Sequence, residues 1–175
     1  MKFKLGSFEQ RLVKALGEAR NKNNTQRNVK EQIQSTRDPV EISIEGCAGE
    51  IVACKHFNVY PDLDTDLDPK DYPDYDLVLT GGIKVDVKTS EWDFKNPQYK
   101  EAMWSTRMNE RKLTSNVDAF LFVKGKMPYY EICGWQYKRE HMQQKKMNER
   151  TGEEYFYCME SQLRPMTETY QQFGR

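Results

Sequence analysis

Hydrophobic residues recur every three or four positions in two segments of the first third of the chain. This spacing is typical of amphipathic helices and predicts one over 8–19 and another over 44–57. Ser43 is placed to cap the second helix, and the glycine and alanine residues within that helix predict a close approach to a sheet. The polar stretch between the helices, 21–38, is expected to form a second solvated helix or a mobile arm.

Farther along the chain the pattern becomes that of a sheet. Short apolar or alternating runs bounded by turn residues predict strands over 76–79, 83–89, 119–123, 129–133 and 155–159. The proline- and aspartate-rich segment 58–75 is expected to be a loop, 96–113 to be helical or irregular, and 136–148 to be a charged helix. These elements predict an α/β (α+β) fold, in which a central mixed β-sheet is flanked by helices.

The length and composition are those of one soluble domain. The chain has 175 residues, of which 37% are hydrophobic, and one domain usually spans roughly 100–200 residues. No apolar run is long enough to span a membrane, and the first residues turn polar too quickly for a signal peptide. We therefore expect a cytoplasmic protein with no membrane partner. It is expected to comprise an N-terminal helical and polar arm, 1–40, and a single domain, 41–175.

The charge is balanced overall but uneven along the chain. The 27 basic and 27 acidic side chains cancel, which argues against a simple basic coat for nucleic acid. Residues 41–80 nevertheless carry ten acidic and two basic side chains, whereas both flanking segments are net positive. A solvated acidic loop gives this pattern, and so does a cation site that faces a polyanion.

The cysteine and histidine residues do not form a recognisable metal-binding pattern. The four cysteines include no Cys-x-x-Cys pair, so the spacing of a zinc ribbon is absent. Cys47 and Cys54, seven positions apart, are expected to be small core residues. The two histidines, His56 and His141, are too few for a histidine metal site, and we interpret both as structural or surface residues.

The predicted hairpin around Gly81 carries the most informative polar residues. A three-residue loop, 80–82, places Asp76 directly opposite Asp86, with Lys88 on the same face, while the other face is apolar. A two-residue loop would instead send Asp76 to the apolar face. Like charges directly opposite each other destabilise a sheet, and a divalent cation would offset the repulsion.

The donors at this position are those that a hard cation prefers. Two carboxylates and the backbone carbonyl of Val87 suit Mg²⁺ or Mn²⁺, with Glu50 on the small-residue helix as a third carboxylate. Lys88 is placed to hold an attacking water or to neutralise a phosphate. Asp74, which follows Pro73, lies on the same face and is the alternative to Asp76 as the strand aspartate.

At these residues the chain resembles the PD-(D/E)XK nuclease superfamily, and in particular its small phage and bacterial members. The family pattern combines a helix glutamate, an aspartate that opens one strand, and Asp/Glu-x-Lys on the next strand. Here the pattern falls at Glu50, at Asp76 and at Asp86-Val87-Lys88. The resemblance covers roughly residues 40–166 and implies a restriction-endonuclease-like core.

The resemblance implies a Mg²⁺- or Mn²⁺-dependent nuclease that hydrolyses phosphodiester bonds in DNA, with endonuclease and exonuclease action both open. Glu50, Asp76, Asp86 and Lys88 would be the catalytic residues, and Asp76, Asp86, Val87 and Glu50 the metal ligands. The candidate nucleic-acid contacts are Thr89, Ser90, Arg107, Arg111 and Lys112. A homodimer is one possible assembly. The alternative is a non-catalytic module that binds nucleic acid or a protein partner and retains the nuclease fold.

Overall fold

The computed structural model describes residues 1–26, 37–65, 73–95, 101–107, 114–147, 149, 152 and 154–168. The α-helices are α1 (Ser7–Gln26), α2 (Pro39–Phe57) and a short α3 (Lys138–His141). The strands are β1 (Lys2–Lys4), β2 (Leu77–Val78), β3 (Lys84–Glu91), β4 (Met103–Arg107), β5 (Ala119–Lys126), β6 (Tyr129–Tyr137), β7 (Lys145–Met147) and β8 (Glu154–Met159). None of the helices in these ranges is both long and apolar enough to cross a bilayer.

The strands form two sheets. The larger sheet has five strands in the order β1-β6-β5-β3-β2 and is mixed, because β3 and β5 run parallel while the other neighbours are antiparallel. The smaller sheet has three antiparallel strands in the order β4-β8-β7. The fold is therefore mixed α/β with a mixed sheet and packed helices, as the hydrophobic pattern predicts.

The two helices of the N-terminal half cover one face of the larger sheet. Val13 and Leu16 of α1 share a core with the apolar side of α2 and with Val85 and Val87 of β3. The helices come close together at Gly17, where a Cβ atom would lie 2.6 Å from the Cα atom of Ile44. Helix α1, which lies in the segment predicted to be an arm, is thus part of the packed structure.

The opposite face of the larger sheet packs against the smaller sheet. Phe120 and Phe122 of β5 share a second core with Trp104 of β4 and Cys158 of β8. The indole Nε1 of Trp104 donates a hydrogen bond to the Val123 carbonyl across 3.1 Å. Strand β5 is buried on both faces for this reason, which explains the run of five apolar residues over 119–123.

Three local predictions were wrong. Helix α2 begins at Pro39 rather than near Ser43, because the Asp38 side chain caps it by accepting a hydrogen bond from the Val40 N–H, 2.9 Å away. The segment 96–113 contains strand β4, which finds its partner in the distant strand β8. The segment 136–148 is helical only in α3 and then forms β7, which pairs with the same strand.

The remaining predicted elements are confirmed where the structure describes them. The hairpin strands, the strands over 119–123 and 129–133 and the last strand are present, and most are longer than predicted. The helix over 8–19 extends to Gln26 and takes up the start of the polar stretch. Residues 27–36, the rest of that stretch apart from Arg37 and Asp38, lie outside the described residues.

Candidate functional site

The hairpin of β2 and β3 has the predicted register. Leu77 lies opposite Val85 and Val78 opposite Lys84, which is the pairing of a three-residue loop centred on Gly81. Asp76 precedes β2, and its carboxylate Oδ2 accepts a hydrogen bond from the Val87 N–H at 2.6 Å. The Asp76 side chain is thereby held against β3, one residue from Asp86.

Asp86 and Lys88 lie on the face of β3 that looks toward the smaller sheet. Asp86 is only 3% exposed, and its Oδ1 accepts a hydrogen bond from the Lys88 ammonium. The Lys88 Nζ lies 5.7 Å from the centre of the Phe120 ring. The charged pair is therefore surrounded by apolar and aromatic groups on the side away from the helices.

His141 is a buried neighbour of this pair. Its imidazole is completely buried and lies 4.9 Å from the Phe120 ring, centre to centre. Burial lowers the pKa of His141 to about 4, and the positive charge of Lys88 adds to that shift. The interpretation of this histidine as a structural residue is consistent with a neutral, buried ring.

Glu50 lies on α2, near enough for the charge of Asp86 to raise its pKa. The helix lies very close to β3, because a Cβ atom on Gly49 would come within 1.8 Å of the Thr89 Oγ1. Both carboxylate oxygens of Glu50 accept hydrogen bonds from Nη1 of Arg20 in α1, at 2.7 and 2.8 Å. The two side chains are about one-fifth exposed, so this is a partly buried ion pair.

Neighbouring carboxylates raise the pKa of Asp76 and of Glu50. Burial raises the pKa of Asp76 well above its usual value, and the charges of Glu50 and Asp86 raise it further, while Lys88 and the Val87 N–H oppose the shift. Burial likewise raises the pKa of Glu50 against the opposing effect of Arg20, and the charge of Asp86 adds to the rise. Negative charge from these carboxylates is therefore only partly neutralised by Arg20 and Lys88.

A cleft of about 370 Å³ opens over two of these carboxylates. It is lined by Arg20, Asn24, Glu50, Asp62, Pro73, Tyr75 and Asp76. Asp86 is buried and does not line the cleft. The cleft gives a route from solvent to Glu50 and Asp76, and Asp76 rather than Asp74 lines it.

The donor chemistry fits a hard cation, although Glu50 is engaged elsewhere. Asp76 uses Oδ2 for the Val87 N–H, and its Oδ1 makes no hydrogen bond in the part of the chain that the structure describes. Within that same part, no three His, Cys, Asp or Glu side chains surround a common ion position. Asp76, Asp86 and the Val87 carbonyl remain the residues that would hold Mg²⁺ or Mn²⁺, with Glu50 bound to Arg20.

The predicted nucleic-acid contacts are only partly placed. The Thr89 Oγ1 is buried against α2 and has no hydrogen-bond partner among the described residues, so its position indicates a packing role. Ser90 is half-buried, and Arg107 is the last residue of β4. Arg111 and Lys112 lie outside the described residues. The nucleic-acid role of these residues stays a prediction.

Two residues of the site were not expected from the sequence. Arg20 lies thirty positions before Glu50 and belongs to no motif. Asp62, in the aspartate-rich loop, accepts a hydrogen bond from Arg20 Nη2 at its backbone carbonyl, 3.3 Å away. The only sequence signal for either residue was the acidic excess of the middle segment. That excess indicates that a positive charge is needed nearby, but it does not indicate which residue supplies it.

No protein-family model matches the chain, and no curated protein matches it significantly. The resemblance to the PD-(D/E)XK superfamily therefore rests on Glu50, Asp76, Asp86 and Lys88 and on the elements that carry them.

Proposed function

We propose that the protein is a divalent-metal-dependent nuclease that hydrolyses phosphodiester bonds in DNA, built on a restriction-endonuclease-like core. One observation carries the proposal. The Asp86 carboxylate of β3, beside Lys88, raises the pKa of two other carboxyl groups. Those two, Asp76 at the start of β2 and Glu50 of α2, line an open cleft. Such a cluster is costly unless it serves a ligand, and perturbed carboxyl groups in a cleft are typical of functional sites.

Each residue has a distinct role in this proposal. A bound Mg²⁺ or Mn²⁺ would activate a water and stabilise negative charge on the phosphate. Asp76, Asp86 and the Val87 carbonyl would hold the ion, and Glu50 would complete the ligand set or position the water. Lys88, already beside Asp86, would orient the water and stabilise negative charge on the oxygens of the five-coordinate phosphorus. Water adds across one P–O bond, and the leaving oxygen gains a proton.

The test is a cleavage panel of single-stranded, double-stranded and branched DNA with Mg²⁺ and with Mn²⁺. We expect cleavage by the wild-type protein and a loss of about a hundredfold or more in Lys88→Ala, the range typical of a group that moves protons or charge in the transition state. Asp86→Asn should abolish cleavage and Mn²⁺ binding, the latter measured by calorimetry.

The matched control is Lys84→Ala. Lys84 is another lysine of β3, two residues from Asp86 on the same face, and its Nζ lies 5.3 Å from the Tyr75 ring centre. This variant should retain the wild-type rate. No cleavage of any DNA with either cation, or full activity in Lys88→Ala, would contradict the proposal. Binding of DNA without cleavage, unchanged in Asp86→Asn, would indicate the non-catalytic binding module instead.

A further inference from the structure

The Arg20–Glu50 pair has an unusual geometry for a permanent ion pair. One nitrogen, Nη1, contacts both carboxylate oxygens, whereas the strongest arginine–carboxylate pairs use two nitrogens in parallel. The second terminal nitrogen, Nη2, makes a long 3.3 Å hydrogen bond to the Asp62 carbonyl. The guanidinium therefore holds Glu50 without the two-nitrogen arrangement that would fix both partners.

The third nitrogen of Arg20 is an unsatisfied donor. Its Nε–H is buried and has no hydrogen-bond partner among the described residues. Buried donors are nearly always paired with protein, water or ligand. Arg20 thus has a donor at the wall of the cleft that no described residue accepts from.

The charge balance of the cleft points to the ligands involved. Arg20 is the sole cationic residue among the described residues that line it, against three carboxylates, Glu50, Asp62 and Asp76. The Glu50 carboxylate can bind either the guanidinium or a divalent cation. If both bound to this one carboxylate, their positive charges would repel each other. The Arg20–Glu50 ion pair therefore weakens the binding of a divalent cation to Glu50, and a bound cation weakens the ion pair.

We propose that Arg20 is the counter-ion that a divalent cation displaces from Glu50, and that the released guanidinium then binds a backbone phosphate of the substrate in the same cleft. This inference rests on the proposed function. Arginine is suited to the second task, because its planar set of donors matches the oxygens of a phosphate. In this exchange, binding of the metal ion to Glu50 would release the Arg20 guanidinium and so make it available to bind phosphate.

The first experiment measures Mn²⁺ binding by calorimetry in the wild-type protein, Arg20→Gln and Arg20→Lys. Glutamine retains a hydrogen-bond donor for Glu50 but removes the positive charge. We expect Arg20→Gln to bind Mn²⁺ about tenfold more tightly than the wild type, a usual size for coupling between two sites. Arg20→Lys should remain close to the wild type, because it keeps the charge.

The matched control is Lys55→Gln. The Lys55 Nζ lies 2.7 Å from the Glu9 carboxylate, so this pair also joins α1 to α2, but it is away from the cleft. It should leave Mn²⁺ affinity unchanged. Wild-type affinity, or weaker binding, in Arg20→Gln would show a merely structural role for Arg20 and overturn the exchange. No Mn²⁺ binding to the wild type or to any variant would overturn the proposed metal site as well.

The second experiment uses a fluorescent duplex oligonucleotide, with Ca²⁺ replacing Mg²⁺, and varies the salt concentration. Arg20→Gln should bind about tenfold more weakly and should lower the salt slope by about one, the expectation for the loss of one phosphate contact. Lys55→Gln should match the wild type. Equal affinities and slopes in wild type and Arg20→Gln would overturn the phosphate contact.

A measurement on the wild-type protein keeps the exchange testable if Arg20→Gln does not fold. The Nε–H resonance of Arg20, assigned by its loss in Arg20→Lys, should shift as Mg²⁺ is added, together with the amide of Val87. A Val87 amide that responds while the Arg20 signal stays in place would show that the cation binds without displacing the guanidinium.

Discussion

Gly49 and Thr89 lie at a very close approach between helix α2 and strand β3. A Cβ atom on Gly49 would be 1.8 Å from the Thr89 Oγ1 and 3.0 Å from its Cβ. This contact limits how closely α2 can pack on the sheet. Since Glu50 is the next residue, the same contact determines how far its carboxylate reaches toward Asp76 and Asp86.

We expect Gly49→Ala to lower the free energy of unfolding by about 2 kcal/mol, because overpacking a tight contact typically costs 1–3 kcal/mol. Urea unfolding followed by circular dichroism measures the change. The control is Gly46→Ala in the same helix, where a Cβ atom meets nothing within 4 Å. That variant should be more stable than the wild type by roughly 0.5–1 kcal/mol, because alanine favours the helix. Similar losses in both variants would contradict the packing argument.

The raised pKa of Asp76 makes the stability depend on pH. In the unfolded chain the carboxyl loses its proton near pH 3.9, whereas burial and the neighbouring carboxylates let the folded protein keep that proton to higher pH. The folded state binds more protons in this interval, so the free energy of unfolding falls as the pH rises through it.

Asp76→Asn should therefore be more stable than the wild type at pH 7 and equal to it near pH 3, because asparagine can still accept from the Val87 N–H. Each unit of pKa difference corresponds to about 1.4 kcal/mol. Urea unfolding in EDTA at both pH values measures the difference. Asp118→Asn is the control, since this exposed carboxylate also accepts a backbone N–H, from Lys84 at 2.8 Å. A stability gain from Asp76→Asn that is the same at both pH values would refute the electrostatic explanation.

Lys124 connects the two sheets from a buried position. It is 8% exposed, and its Nζ lies 2.6 and 2.7 Å from the two carboxylate oxygens of Glu160, which follows β8. Lys124→Met keeps most of the apolar stem but leaves Glu160 without this partner. We expect a loss of about 2 kcal/mol in the free energy of unfolding. This is less than for a fully buried pair, because the Glu160 side chain is more exposed than that of Lys124.

Lys126→Met tests whether burial causes that effect. Lys126 forms an ion pair of nearly the same length with Glu91, 2.7 Å, but its side chain is 70% exposed. Thermal unfolding of this variant should match the wild type, as is usual for surface pairs. If Lys124→Met and Lys126→Met lost the same amount of free energy of unfolding, burial would not explain the effect of the Lys124 substitution.

The four thiols should react slowly in the folded protein. Burial raises the pKa of Cys47, Cys54, Cys133 and Cys158 to about 12 in each case. At pH 8 the thiolate fraction is then roughly a thousandfold below that of an ordinary cysteine. Labelling with Ellman's reagent should show slow release without urea and rapid release of all four thiols in urea.

Cys133 is the least buried of the four and should account for the fastest phase of labelling, which Cys133→Ala should remove. Prompt reaction of a thiol in the folded protein would show that the sheet opens locally at neutral pH.

Local patterns in the sequence determined the elements of the site and their register. The alternation along 83–89 and the glycines at 81 and 82 were sufficient to place Asp86 and Lys88 on one face, because side chains alternate in a strand and the turn length sets the pairing. The apolar stripe and small residues of α2 predicted a helix close to the sheet, and Gly49 makes that contact.

Only the tertiary structure decided which distant groups meet. Arg20 and Glu50 are thirty residues apart, and β4 pairs with β8 about fifty residues later. Neither contact can be recognised from the local sequence. Hydrophobic periodicity indicates the face of an element on which a residue lies, but it does not indicate which distant residue contacts that face. The acidic excess of the middle segment is a property of the sequence, while its partial neutralisation by a guanidinium from α1 follows from the packing of two helices.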